Sequence, residues 1–234
     1  MRRVLFLAVA AMLVSGACRR AKQTPAKPAL AKRATEVAPG SSVRVAAFWA
    51  WFQNKAAALR ADKDLLRTME TINEELEVVH DGVFGEIEGR DDDRTLVITA
   101  DGQRELFPAV QEIYAARPQV PRWTIVAFRP RRDDPGDIEI ELDGRKHHPR
   151  RMKFTGARDG KKVAITVFVP WFTTREELGQ ADLIVLDHLV GEYDLKTKVG
   201  DIRWANIKQA PATARPLVEL PALLDKTFPP RPAK

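Results

Sequence analysis

The sequence predicts an α+β domain with a mostly antiparallel mixed sheet packed against three to five helices. Helical and strand-like apolar patterns alternate over about 190 residues from Ser42 onward, a length that fits one domain. Several neighbouring strand segments are joined by connections shorter than the dozen or more residues that a parallel crossover needs. We therefore expect a single domain over residues 42–228 and a disordered tail at 229–234.

Two amphipathic helices open the predicted domain. Apolar side chains recur at helical spacing through the FWAWF segment, at Val45, Phe48, Trp49, Phe52, Ala56 and Leu59. Asp62 is suited to cap a second helix. The apolar stripe of that helix comprises Leu65, Leu66, Met69, Ile72 and Leu76. Both stripes should face the sheet.

Strand and helix patterns then alternate to the end of the domain. Segments 123–128 and 163–169 are apolar on both faces, which predicts central positions in the sheet. The other predicted elements are strands at 83–88 and 95–99, a helix to about Ala116 with Pro108 in its first turn, a helix begun by Thr173 or Thr174 and ended near Gly191, a strand at 199–207 and a short helix at 217–224.

The start of the chain has the features of an exported lipoprotein. Two arginines precede an unbroken apolar run at residues 4–14, which is shorter than the roughly 20 residues that span a bilayer. The following Ser15-Gly16-Ala17-Cys18 resembles the lipobox of bacterial lipoproteins, with Ser15 where leucine is commonest. Cys18 is the only cysteine of the chain. We expect a signal peptide at 1–17 and a lipidated Cys18; an ordinary secretory leader cut nearby is the alternative.

Acylation of Cys18, for example by palmitate, would tether the mature protein to the cell envelope, because each buried methylene contributes roughly 0.8 kcal/mol. Arg19 follows the cysteine where inner-membrane retention favours aspartate, so we expect the outer membrane. Residues 18–41 form an Ala- and Pro-rich linker whose basic side chains all lie at 19–33. Such a tract can adhere to an anionic lipid surface, and a solvated spacer is the alternative.

Nucleic acid is an unfavourable partner for the domain, although the whole chain has a net charge of +6. The linker over residues 19–41 carries a net charge of +5. Residues 42–234 hold 30 basic and 31 acidic side chains, a net charge of −1. A nucleic-acid binder needs a cationic surface that displaces counterions from phosphate. We therefore expect no nucleic acid and an unknown envelope protein or glycan as partner.

The usual catalytic signatures are missing from the sequence. Serine occurs only at Ser15, Ser41 and Ser42, which argues against a Ser-His-Asp hydrolase. A lipidated Cys18 removes the only thiol nucleophile. The chain contains neither Gly-rich phosphate-binding motif nor an HExxH metal motif. We expect no cofactor, no bound metal and no catalytic residue set.

Arginines at a predicted strand end are the strongest candidates for a binding site. Arg129, Arg131 and Arg132 follow segment 123–128, where guanidinium groups could clamp a carboxylate or phosphate. Pairing with acids of the same turn, Asp133 and Asp134, is the alternative.

Asp187, His188 and Glu192 form the second candidate cluster. Gly191 should end the helix before Glu192 can join His188 on one face. A histidine favoured by the helix dipole is the alternative to a functional role. Four alternating acids, Asp137, Glu139, Glu141 and Asp143, could bind calcium, but Arg151 and Lys153 on a returning strand favour a charge-laced hairpin.

Several segments together resemble an uncharacterised family of bacterial domains. They are FWAWF (48–52), ITADG (98–102), ELFP (105–108), PRW (121–123), AFRPR (127–131), LDH (186–188), GEY (191–193) and KTKVG (196–200). The resemblance covers most of residues 45–207. It implies a single domain and carries no activity, substrate or catalytic residue with it.

Two functional hypotheses remain open. The first is a non-enzymatic binding or structural module of the cell envelope. The second is an envelope enzyme that uses carboxylates and arginine on a glycan or phosphoester, with Arg129, Asp187 and Glu192 in its site. The second requires acids from distant segments to converge in one place.

Overall fold

The computed structural model describes residues 41–89, 93–134, 138–142, 145–172 and 180–229. The predicted signal peptide, Cys18, nearly all of the basic linker, Thr173, Thr174 and residues 230–234 lie outside these ranges. The described residues form a single α+β domain with six α-helices and nine strands. Four of the six strand pairings are antiparallel. The predicted fold class is confirmed.

The first half of the domain, here called the N-terminal lobe, contains three helices and a three-stranded sheet. Its elements are α1 Ser41–Ala61, α2 Leu65–Val79, β1 Phe84–Glu88, β2 Arg94–Thr99, α3 Phe107–Ala115 and β3 Trp123–Ala127. The strand order is β1-β2-β3, with β1 antiparallel to β2. β3 runs parallel to β2 after the crossover through α3. The carboxyl ends of β2 and β3 therefore lie side by side.

The apolar face of α1 covers the core of the N-terminal lobe, as its spacing predicts. Five of the six residues in the predicted stripe are buried, and Leu59 packs against them partly exposed. Two indoles anchor this helix through buried hydrogen bonds. Trp49 Nε1 donates to the carbonyl oxygen of Ile113 at 2.8 Å, and Trp123 Nε1 donates to that of Ala56 at 3.0 Å.

Three predictions for this lobe are wrong in detail. The N-cap of α2 is Asp64 rather than Asp62, since Asp64 Oδ1 accepts a hydrogen bond from the Arg67 N–H. Asp62 Oδ1 instead accepts a hydrogen bond from the Asp64 N–H. Leu65 and Leu66, which belong to the predicted apolar stripe, are exposed in the first turn of the helix. The segment that forms β3 lies at one end of the strand order, and β2 is central. Packing against helices, rather than flanking strands, buries Trp123.

The second half, here called the C-terminal lobe, contains a hairpin, a four-stranded sheet and three helices. Its elements are β4 Ile140–Leu142, β5 Arg145–His147, β6 Lys153–Asp159, β7 Lys162–Val169, α4 Gln180–Val190, α5 Glu192–Lys198, β8 Val199–Asn206, β9 Arg215–Pro216 and α6 Leu220–Thr227. The larger sheet has the order β8-β7-β6-β9. The predicted central position of β7 is confirmed, whereas the expected single sheet is divided into three.

The acidic segment near residue 140 forms a shorter hairpin than predicted. β4 and β5 are antiparallel, with Glu141 opposite Lys146. Lys146 Nζ also lies 2.8 Å from Glu139 Oε1. The basic partners thus come from β5 instead of Arg151 and Lys153, because Lys153 belongs to β6, which pairs with β7 and β9. Asp137 and Asp143 lie outside the described residues.

The helix count exceeds the expected three to five because Gly191 separates two helices. It has a φ of +87°, ends α4 and precedes α5, a seven-residue helix that the sequence patterns did not predict. Leu195 and Glu192 are the buried residues of α5. A single apolar anchor gives too little periodicity for sequence-based prediction.

The buried apolar residues of the two lobes form separate clusters. One joins α1, α2, α3 and the β1-β2-β3 sheet, and the other joins the C-terminal sheet with α4, α5 and α6. No helix in the described ranges has both the length and the apolarity to cross a membrane. Contacts between the lobes are concentrated around Arg129 and Glu192, and they form the candidate site.

Candidate functional site

The candidate site lies where three segments of the two lobes meet, here called the junction. Residues 99–102 comprise the end of β2 and the loop after it, residues 128–132 form the loop after β3, and residues 187–193 span the break between α4 and α5. Ligand sites in α/β sheets typically lie at the carboxyl ends of parallel strands. Here the C-terminal lobe covers that position.

An unusual backbone conformation at Phe128 directs the chain into the junction. Its φ is +64°, which is uncommon for a bulky L-residue and is found mainly where surrounding contacts enforce it. The Phe128 ring is buried, with its centroid 4.5 Å from that of Phe107 and 5.2 Å from that of Tyr193. These aromatic contacts hold the turn that brings the main chain of Arg129 to the C-terminal lobe.

Gly191 allows the two main chains to approach closely. A Cβ at this position would lie 3.1 Å from Arg131 N and 3.5 Å from Arg129 O. The Glu192 N–H donates to Arg129 O at 3.0 Å, and the Arg132 N–H donates to His188 O at 2.9 Å. The positive φ and the lack of space both favour glycine. The loop after β3 is thereby joined to the α4–α5 break through main-chain hydrogen bonds.

The Glu192 carboxylate is fully buried and accepts four hydrogen bonds from the N-terminal lobe. Its Oε1 accepts from the Ala100 N–H at 3.1 Å and the Gly102 N–H at 3.0 Å. Its Oε2 accepts from the Thr99 hydroxyl at 2.7 Å and the Arg129 N–H at 3.0 Å. A carboxylate offers about four acceptor positions, so this one is saturated. We call these four donors the carboxylate receptor.

The loop after β2 is shaped to present these donors. Asp101 and Gly102 have φ values of +49° and +73°, and successive N–H groups in such turns form concave anion-binding nests. The Asp101 N–H donates to the Thr99 hydroxyl oxygen at 3.0 Å. The hydroxyl proton is then available for Glu192.

The Arg129 guanidinium lies beside the receptor and contacts three further carboxylates. Its Nη2 is 2.6 Å from Glu86 Oε1 and 2.8 Å from Asp101 Oδ1, and its Nη1 is 3.1 Å from Asp187 Oδ2. Burial alone would lower the pKa of Arg129, but the hydrogen bonds and charges of these acids raise it above its ordinary value. Arg129 is therefore a permanent cation that links β1, both loops and α4.

Asp187 and His188 are adjacent but respond to burial in opposite directions. Burial raises the pKa of Asp187 to about 6, although the charge of Arg129 opposes the shift. Burial, together with the charges of Arg132 and Arg129, lowers the pKa of His188 to about 4. Desolvation disfavours whichever form is charged. Asp187 can therefore exchange a proton near neutral pH, and His188 is neutral there.

Arg131 and Arg132 lie at the margin of the junction. Arg131 Nη1 is 2.8 Å from Asp225 Oδ2 of α6, and its Nη2 is 3.4 Å from Asp194 Oδ2 of α5. Arg132 Nη2 is 3.0 Å from Glu88 Oε1 of β1. The alternative prediction, pairing with acids of the same turn, is wrong for these arginines because their partners come from other elements.

The five residues singled out from the sequence thus come together at the junction. Arg129 and Arg131 belong to the loop after β3, and this loop contacts the segment that contains Asp187, His188 and Glu192. Glu86, Thr99 and Asp101 were not predicted as part of the site. The available signal was Asp101-Gly102 at a strand end, since such turns can direct main-chain N–H groups toward an anion. Four segments of the sequence resemblance, ITADG, AFRPR, LDH and GEY, meet at the junction.

A second buried polar cluster lies within the C-terminal lobe and was not predicted. His147 Nδ1 of β5 is 2.8 Å from Asp182 Oδ1 of α4, and both side chains are buried. Trp171 Nε1 donates to Asp182 Oδ2 at 3.4 Å, and its ring stands edge-on to His147. The cluster fastens the β4–β5 hairpin to α4.

Two surface cavities are lined by residues other than those of the junction. One, of about 370 Å³, lies between α2 and the start of β1 and is lined mainly by acids and Phe84. The other, of about 460 Å³, lies beside the start of β3. Among the described residues, no three His, Cys, Asp or Glu side chains are grouped so as to hold a metal ion.

Comparisons of the chain with protein-family models, with curated proteins and with solved structures find no match.

Proposed function

We propose that this chain is an exported lipoprotein, tethered to the cell envelope through an acylated Cys18, whose α+β domain is a non-enzymatic binding or structural module. The observation that carries the proposal is the position of Cys18. The only cysteine of the chain follows a short apolar run and three small residues. Lipoprotein processing requires a cysteine at this position.

The arrangement of the junction supports a non-enzymatic module. The Glu192 carboxylate already accepts four hydrogen bonds, and the Arg129 guanidinium already contacts three acids. A catalytic carboxylate or arginine needs acceptor or donor capacity left for a substrate. The near-neutral charge of residues 42–234 gives no general attraction for nucleic acid. An envelope protein or glycan is the partner that we propose.

The basic linker would operate beside the lipid anchor. Its six basic side chains lie at residues 19–33, and each is worth about 1 kcal/mol near an anionic membrane surface. The tract would then hold the start of the linker on the membrane. We propose the outer membrane as the location, because Arg19 occupies the position where aspartate favours retention in the inner membrane.

The proposal is tested by replacing Cys18. We expect Cys18→Ala to move the protein from the membrane fraction to the soluble fraction, and intact-mass analysis of the wild type to show an acylated chain that begins at Cys18. Ser15→Leu, which brings the segment closer to the usual lipobox, is the matched control and should remain acylated. A wild-type product with a free thiol, or one that begins elsewhere, would contradict the proposal.

Partner identity needs a separate measurement. Crosslinking in the envelope of the native host, followed by recovery of the full chain, should yield a specific protein or glycan from cells with the wild-type chain. The same partner should be lost with the soluble Cys18→Ala chain. Recovery of only lipid from the wild type would favour a purely structural role.

The chemistry of Asp187 favours one second candidate function, a carboxylate and arginine enzyme that acts on a glycan or phosphoester. The pKa of Asp187, about 6, and the 15% exposure of its side chain suit a group that exchanges protons. Arg129 and Glu192 would be its neighbours. The assay is hydrolysis of nitrophenyl glycosides or phosphates. Activity that is abolished by Asp187→Asn and retained by Asp225→Asn would support this function. No turnover by the wild type would exclude these substrates.

A further inference from the structure

The carboxylate receptor is complete within the N-terminal lobe. All four donors, the Thr99 hydroxyl and the N–H groups of Ala100, Gly102 and Arg129, lie at the end of β2 or in the loops that follow β2 and β3. The group that they bind, Glu192, comes from the C-terminal lobe. The donors are held by contacts that do not involve the Glu192 side chain, since the Asp101 N–H orients the Thr99 hydroxyl and packing against Phe107 fixes Phe128.

The donors are arranged for a planar anion with two oxygen atoms. Two of them converge on each carboxylate oxygen at distances between 2.7 and 3.1 Å. Three of the four are main-chain N–H groups, whose positions are set by the fold and not by flexible side chains. Without an acceptor, the buried donors of Thr99 and Ala100 would lose their hydrogen bonds to water without compensation.

We propose that these donors are a carboxylate-binding site of the N-terminal lobe for which Glu192 is the built-in ligand. When the Glu192 side chain is absent, the site takes up a small external carboxylate such as formate or acetate. The ligand class of the site is small carboxylates. In the wild type the Glu192 side chain, from the other lobe, occupies the site. This inference does not depend on lipid anchoring or on the proposed function of the domain.

The test is rescue of a Glu192→Ala chain by acetate. We measure the melting temperature of the full chain at pH 7 in sodium acetate and in sodium chloride of the same ionic strength. With a Kd of about 10 mM, about 100 mM acetate should raise the melting temperature of Glu192→Ala by about 3 to 6 °C. Formate should act in the same way. The wild type, whose receptor is occupied, should respond equally to acetate and chloride.

Two further variants separate binding from general effects of the salt. Glu192→Gln keeps a side chain of the same size in the receptor, so acetate should not stabilise it. Val110 is fully buried in the same lobe, so Val110→Ala creates an apolar cavity. This variant is destabilised, but all four donors of the receptor keep Glu192 as their acceptor. Its melting temperature should be the same in acetate and chloride. Titration calorimetry should detect one acetate per chain for Glu192→Ala alone.

Every outcome bears on the proposal. Equal melting temperatures of Glu192→Ala in acetate and chloride would overturn it, as would the same acetate effect in Val110→Ala. If Glu192→Ala does not fold in chloride, the yield of folded chain on refolding in acetate replaces the melting temperature. A gain in that yield supports the site, and no gain overturns it.

Discussion

Glu192 and Asp182 are both fully buried carboxylates in the C-terminal lobe, yet they stabilise different parts of the molecule. Glu192 reaches across to four donors in the other lobe, which lie 63 to 93 positions away in sequence. Asp182 faces one imidazole and one indole in its own lobe. The first therefore joins two lobes with separate apolar cores, and the second fixes a hairpin to a helix.

The chemical environment of the two carboxylates differs as much as their position. Main-chain N–H groups around Glu192 cannot rotate away, because β2 and β3 fix the loops that carry them. The partners of Asp182 are side chains, which have more freedom to reorient or to admit water. Losing a carboxylate from fixed donors leaves more of them unsatisfied. The junction should therefore be the more sensitive of the two clusters.

The largest expected effect is that of Glu192→Ala. Four donors lose their acceptor and the lobes lose their main polar contact, so we expect the free energy of unfolding to fall by about 3 to 5 kcal/mol. Urea denaturation of the full chain in chloride buffer measures the change. Hydrogen exchange should accelerate at Ala100, Gly102 and Arg129 but not at Lys146. A loss below about 1 kcal/mol would show that water replaces the carboxylate at little cost.

Asp182→Ala should have a smaller and more local effect. Removal of this carboxylate leaves His147 Nδ1 without its hydrogen-bond partner and the Trp171 N–H without an acceptor, and we expect a loss of about 2 to 3 kcal/mol. Hydrogen exchange should accelerate in β4 and β5 and remain unchanged at the junction. Equal exchange at both places in both variants would mean that the two clusters are coupled and that the comparison fails.

Most of the helices and strands were predictable because the spacing of apolar residues along the chain indicates which face of an element is buried. The stripe of α1 and the apolar run of β7 gave their elements directly. The capping position of α2 was missed because Asp62 and Asp64 are both plausible caps and differ by only two residues. The helix α5 was missed because Leu195 is its only buried apolar residue.

The sequence allowed us to predict several residues of the candidate site but not their contacts. Charged residues near strand and helix ends, such as Arg129 and Asp187, indicated the segments that meet in the candidate site. Their partners did not follow from sequence, because the pairing of Glu192 with Thr99 depends on the parallel arrangement of β2 and β3 and on how the lobes meet. Local pairing of the arginines with Asp133 and Asp134 was the simpler expectation, and the fold overrides it.

The third prediction concerns pH and separates two neighbours within the junction. The folded-state pKa of His188, about 4, lies below its ordinary 6.5, so its contribution is lost as pH falls below 6.5. The folded-state pKa of Asp187, about 6, lies above its ordinary 3.8, so its contribution appears as pH falls through 6. Between pH 7 and pH 5 we expect a loss of about 2 kcal/mol from His188 and a gain of about 1 kcal/mol from Asp187.

Single substitutions should reveal these opposite contributions. Relative to the wild type, His188→Gln should lose less stability between pH 7 and pH 5, and Asp187→Asn should lose more. Urea denaturation at both pH values measures the differences. Comparison with the wild type cancels contributions from the other ionisable groups of the junction. Identical pH dependence in all three chains would mean that neither group is desolvated in solution.

The smallest expected effect is that of Asp225→Asn, which tests whether the margin of the junction matters. Asp225 pairs with Arg131 at 2.8 Å, but 48% of its side chain is exposed, and exposed ion pairs contribute about 0.2 to 1 kcal/mol because water and salt screen them. We expect a loss within that range that disappears in about 1 M sodium chloride. Because Arg131 also contacts Asp194, the arginine keeps a partner after the substitution. A loss of unfolding free energy as large as that of Asp182→Ala would mean that α6 also contributes to the contact between the lobes, in addition to Glu192.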